Sequence, residues 1–140
     1  MPIDNNTALV QRLFDALNRG IADVNALRPA AFAPDEVFHV AGHPLDYTAH
    51  AGFDAMLFVA FPDLQFTLDD LLADGDRVVA RFRAHGTQTG VFQDIPATGS
   101  AATVSGIAIY RLAGGMVVEQ WLEYDQLGLL QQLGVIPAMG

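Results

Sequence analysis

A chain of 140 residues, 51% of them apolar, has material for one domain that buries roughly two thirds of its extended surface. Its net charge is −9, and all seven basic residues are arginines, which leaves no basic patch for nucleic acid or an anionic membrane and excludes lysine Schiff-base chemistry. The lack of cysteine removes disulfides, thiolate nucleophiles and thiolate metal sites together.

No stretch approaches the ~18 consecutive apolar residues of a membrane span. The apolar surplus is therefore expected in a cavity, a subunit interface or both. The opening "MPIDNNTALVQRLFDALNRG" lacks a basic start followed by an apolar run, so a cytoplasmic protein is expected.

Leu9, Val10, Leu13, Phe14 and Leu17 recur at helical spacing, which predicts a helix over Thr7–Arg19 that Gly20 stops. A short second helix fits Ala22–Leu27 before "RPAAFAP" breaks the pattern. Phe38–Val40 reads as a weak strand, and "AGHPLDYTAHAG" as a loop with turn chemistry. A third helix fits Phe53–Phe61, ended by Pro62. Four long strands follow, over Leu64–Leu72, Arg77–Thr87, Ala102–Leu112 and Met116–Tyr124, with hairpin turns at "ADGD" and "AGG". Asp125 can cap a last short helix that Gly134 ends. This order predicts a single α+β domain over 1–140, a cone-shaped, curved antiparallel sheet with N-terminal helices enclosing a pocket.

Alternation sorts the strand faces. Arg81, Arg83 and His85 share one side with Ile107, Ile109, Val117, Glu119, Trp121 and Glu123. That side is expected to be wet, with the two glutamates pairing the arginines, and its apolar members favour a dimer. The inward side then carries Phe82, Val104, Gly106 and Ala108, followed by Tyr110, Gln120, Leu122 and Tyr124. Small residues in its middle leave room for a ligand.

"FPDLQF", "GTQTGVFQDIPATG" and "EQWLEYDQLGLLQQLGVIP", in this order and spacing, resemble the SnoaL-like polyketide cyclases of the nuclear transport factor 2-like superfamily. The resemblance covers nearly the whole chain. It implies a conical pocket and a homodimer or higher homo-oligomer. It also implies ring closure by intramolecular aldol reaction without metal or cofactor. In such cyclases an aspartate on the last strand is the general acid/base, assisted by Gln and His on the preceding strand. Here the aspartate position carries Leu122, the Gln and His positions carry Gly106 and Ala108, and a family histidine on the last strand corresponds to Gln120. Gln88 stands where the family's GTHTG motif has histidine, and Asp125 keeps the capping acid.

His39, His43 and His50 lie close together with Asp46 and Tyr47. A histidine with a carboxylate partner can abstract a proton next to a carbonyl. His39, which matches a histidine at the end of the family's first strand, is the first candidate, with Asp46 as its carboxylate. Asp46 also reads as a turn former, and His43 and His50 as solvated, with His50 kept among the ligand contacts. The three histidines fit no familiar metal-ligand spacing. Ligand contacts are expected from Phe82, Ala108, Tyr110, Gln120, Leu122, Tyr124 and His50.

Three functions fit these features. The first is a cofactor-free cyclase, isomerase, lyase or hydrolase acting on a small apolar carbonyl or epoxide metabolite. The second is a non-catalytic module that binds such a metabolite. The third is a dimeric domain whose core is filled.

Overall fold

The computed structural model describes residues 2–137, with side chains from residue 5 onward; Met1 and residues 138–140 of the expected domain lie outside it. Helices α1 (Pro2–Arg19) and α2 (Ile21–Ala31) come first, then strands β1 (Phe32–Val40) and β2 (His43–Leu45). Helix α3 (Tyr47–Ala60) precedes the long strands β3 (Gln65–Asp74), β4 (Arg77–Thr87), β5 (Ala101–Ala113) and β6 (Met116–Tyr124), and α4 (Gln126–Gln132) closes the order.

Helix α1 forms for the expected reason: Leu9, Val10, Leu13 and Phe14 make one apolar stripe, and all four are buried. Gly20, at φ 122°, breaks the chain between α1 and α2 in a conformation other residues resist. Three helices run longer than the sequence suggests, α1 beginning at Pro2. In α2, Pro29 falls in the last turn, where its missing N–H removes one bond without ending the helix. Helix α3 starts at Tyr47 because the Asp46 side chain accepts a hydrogen bond from Ala49 N at 2.8 Å.

The six strands form one sheet in the order β2-β1-β6-β5-β4-β3. The four long strands make the expected antiparallel meander, but β1 joins β6 in parallel, so the sheet is mixed. Register shifts interrupt three pairings, at Phe32/Val37 on β1, at Leu68/Asp70 on β3 and at Arg111/Leu112 between β5 and β6. Extra residues on one strand of a pair bend and twist it, which curls the sheet around the helices. The third shift corrects one face assignment. Leu112 pairs with Val117 and Arg111 with Glu119, so Val118 is the bulged residue and Val117 turns inward, fully buried.

The concave face packs two apolar clusters. One joins Leu9, Leu13 and Phe14 of α1 to Val78, Phe82 and Tyr110; the other joins Phe61, Leu64, Phe92 and Ala102 to Leu129 and Leu133. The loop between β4 and β5 reaches the second cluster through Phe92. Gln88 shapes that loop from inside: fully buried, it donates to Ile95 O and Pro96 O and accepts from Thr98 Oγ1 at 2.7 Å.

On the outer face the arginines find other partners than expected. Arg83 makes a two-pronged pair with Asp69, and Arg81 bonds Asp70 at 2.6 Å, because β3 lies beside β4 and the bulge at Leu68/Asp70 presents both aspartates. Glu119 instead accepts from His39 Nε2 at 2.8 Å and from Arg111 Nη2 at 3.0 Å. These bonds, led by the one from His39, hold the Glu119 carboxyl below its usual range. No helix among the described residues is long and apolar enough to cross a membrane.

Candidate active site

Cross-strand register builds the inner wall in rows. Phe38, Gln120 and Tyr110 are successive partners across β1, β6 and β5; Val40, Leu122 and Ala108 form the next row; Tyr124, Gly106 and Phe82 form the one beyond. With the inner faces of α1 and α3 they enclose a cavity of about 130 Å³. Phe82, Ala108, Tyr110 and Gln120 line it, as do Leu122, Tyr124 and His50. The space expected at Gly106 is already used. A Cβ there would lie 2.6 Å from Phe82 Cζ, and the Phe82 ring itself packs with Phe14 and Phe66.

One end of the cavity is polar. Helix α3 carries His50 and Asp54 one turn apart, hence on one face, and both line the cavity. His50 is 3% exposed. Its Nδ1 is hydrogen-bonded to Glu36 Oε1 at 2.6 Å. Its Nε2 lies 3.7 Å from Asp54 Oδ2. Phe38 stacks on the imidazole at 3.9 Å between centroids, and Phe32 meets it edge-on at 4.9 Å, so the ring is held in one orientation.

Behind this pair stand two orienting groups. Glu36 shares the inner side of β1 with Phe38 and Val40. Arg28 of α2 donates from Nη2 to Asp54 Oδ2 at 2.7 Å, and its guanidinium lies over the Phe32 ring. All four side chains are buried. Arg28 Nε and Nη1, Glu36 Oε2 and Gln120 Oε1 are buried without a partner among the described residues. Burial first, and the negative charge of Asp54 second, raise the Tyr110 hydroxyl far above its usual range, so it stays protonated and serves as a donor. Burial also raises that of Tyr124.

The structure places the histidines differently from the sequence reading. His50, read there as solvated, is the buried one. His39 lies on the outer face, where its ring stacks on Trp121 at 5.3 Å and bonds Glu119; Phe38 takes the inward position beside it. Asp46 is the cap of α3, and His43 is exposed on β2. The sequence reading missed Arg28, Glu36 and Asp54. One signal was available: His50 and Asp54 are four residues apart, the spacing that puts two side chains on one helix face.

Four helices on an open, curved, mixed six-stranded sheet form a nuclear transport factor 2-like α+β fold. The chain belongs to the SnoaL-like polyketide cyclase family, whose model matches residues 7–133.

Among solved structures, a candidate SnoaL-like polyketide cyclase from Jannaschia sp. CCS1 superposes with a TM-score of 0.90 at 26% identity, over 98% of this chain and 97% of that one. AclR, a candidate hydroxylase from Streptomyces galilaeus, gives 0.87 at 25%, over 99% and 86%. IdmH, a candidate polyketide cyclase from Streptomyces antibioticus, gives 0.80 at 29%, over 92% and 98%. No curated protein matches the chain at a significant level.

Proposed function

We propose that the protein is a cofactor-free acid/base enzyme acting on a small apolar carbonyl or epoxide compound. The observation that carries this reading is His50. Its Nδ1–H is fixed on Glu36, which leaves Nε2 free to accept a proton at the edge of an apolar cavity. In this scheme His50 Nε2 removes a proton from the carbon next to the carbonyl. Tyr110, a protonated hydroxyl in the same wall, donates to the carbonyl oxygen as negative charge grows there. Asp54, 3.7 Å from Nε2, stabilises the imidazolium that forms. The proton then returns from His50 to the product. Each step asks only for proton transfer and oriented dipoles, which this chain's own residues supply. The similar structures named as candidate cyclases and a candidate hydroxylase support small-molecule chemistry in this pocket.

Benzylacetone, an apolar ketone of modest size, gives a direct test. The protein is expected to accelerate exchange of its α-protons for deuterium in deuterium oxide, followed by proton NMR. Exchange no faster than in buffer, with benzylacetone bound, would leave the non-catalytic binding module as the function.

We also propose that the protein assembles as a homodimer through the outer face of the sheet. Leu72, Val79, Ile109 and Trp121 lie in one row of register partners. Leu72 is 62% exposed, and Ile107 in the adjoining row 46%. The four arginines of this face are matched by Asp69, Asp70, Glu119 and Glu123, so the face is near neutral on a chain of net charge −9, and two copies meet here with little repulsion. Light scattering is expected to give the dimer mass for the protein and the monomer mass for Ile107→Glu. A monomer mass for the unaltered protein sinks the proposal.

A further inference from the structure

Gln120 occupies the middle of the inner wall, between register partners Phe38 and Tyr110. The residue is 7% exposed, and Oε1 is buried without a partner among the described residues. A buried acceptor with no donor is among the costlier features a fold retains. The next inward position on the same strand holds Leu122, which fills comparable space with no such cost. Among the described residues no donor bonds it: His50 Nδ1 is held by Glu36, Asp54 Oδ2 accepts from Arg28, and the Tyr110 hydroxyl across the strand pair makes no bond to it. A ligand that brings a donor satisfies Gln120 Oε1 and removes that cost.

The chemistry of that donor is restricted. A carboxylate offers only acceptors and has no hydrogen to give Gln120 Oε1. An ammonium would shed its hydration shell in a cavity walled mostly by aromatic and aliphatic groups. A hydroxyl donates without charge. Because it also accepts, it serves the amide with its two ends exchanged equally well. Tyr110, directly across from Gln120, is a protonated donor and calls for an acceptor on the ligand, so the two side chains present opposite halves of a polar contact on one face.

We infer that Gln120 selects a hydroxylated ligand: the compound bound here is an apolar hydroxy ketone whose hydroxyl donates to Gln120 Oε1 while its carbonyl oxygen accepts from Tyr110. The carbonyl half rests on the acid/base function proposed above; the hydroxyl half is a claim about binding alone.

The probes are benzylacetone and the benzaldehyde–acetone aldol adduct, which adds one hydroxyl to the same skeleton. Calorimetry is expected to show the protein binding the adduct about tenfold more tightly than benzylacetone, the scale of one buried hydrogen bond. In Gln120→Leu, close to isosteric and free of a buried polar group, that preference is expected to vanish or reverse. In the unaltered protein, the Gln120 side-chain amide resonances are expected to shift with the adduct and not with benzylacetone, a readout independent of whether the variant folds. An equal preference in both proteins, no preference in the unaltered protein, or no binding of the adduct overturns the inference. Preference for the adduct without deuterium exchange of benzylacetone overturns the enzyme reading and keeps this one. Exchange without preference does the reverse.

Discussion

His50→Gln is expected to slow the deuterium exchange of benzylacetone by roughly 10²–10⁴-fold, the usual contribution of a positioned general base, while benzylacetone still binds. Glutamine fills much of the imidazole's space and can keep a hydrogen bond to Glu36, but it has no group that takes up a proton near neutral pH. Glu36→Gln, a change in a positioning residue, is expected to cost less. The ring remains between Phe38 and Phe32, but the neutral amide no longer fixes Nδ1 as the protonated nitrogen. Its signature is a lower exchange rate at unchanged affinity for benzylacetone. His39→Ala is the control, since that ring is bonded to Glu119 on the outer face of the sheet; it is expected to exchange within a few-fold of the unaltered protein. If His50→Gln retains the exchange, or His39→Ala abolishes it, the base has been assigned to the wrong histidine.

The contrast between the two histidines shows how far the sequence could be read. The long strands and their inner faces were legible because alternation over many residues is hard to mistake, and Tyr110, Gln120, Leu122 and Phe82 fall where it places them. Strand β1 gave too short a window. With only Phe38–Val40 recognised, the polar His39 and the apolar Phe38 said nothing about which side faced in. Recognising Glu36 as part of the strand would have suggested the wrong polarity, because a carboxylate marks a wet face everywhere except in a paired, buried cluster. Helix α3 hid for a related reason. Tyr47–Gly52 has weak helical periodicity and strong turn chemistry, and one capping bond from Asp46 converts it into the first turns that carry His50. The polar cluster draws single residues from α2, β1 and α3, so its formation depends on packing that no local pattern encodes. The GTQTG segment resolves differently: Gln88 is a loop anchor, and its amide supplies both the donors and the acceptor that the loop requires.

The Arg28–Asp54 pair allows stability and chemistry to be separated. Both groups are buried, at 2.7 Å, with Arg28 Nε and Nη1 lacking other partners. Arg28→Met is expected to destabilise the protein by about 3–5 kcal/mol in urea unfolding, because it leaves the Asp54 carboxylate desolvated and uncompensated. Asp54→Leu strands the guanidinium in the same way and is expected to cost a similar amount. Arg28→Met combined with Asp54→Leu replaces both charges by apolar groups of comparable size. Removing a buried pair together is often close to neutral, so the double variant is expected to recover most of the loss, with a coupling energy of several kcal/mol rather than simple addition. Additive losses would mean that the two groups do not compensate each other in the folded protein. The same double variant then reports on function. It retains a folded cavity and the His50–Glu36 bond, but the carboxylate that lies 3.7 Å from His50 Nε2 is gone. Restored stability with impaired exchange would show that a charge pair the fold can do without is kept to stabilise the protonated histidine. Restored stability with full exchange would confine the chemistry to His50 and Glu36.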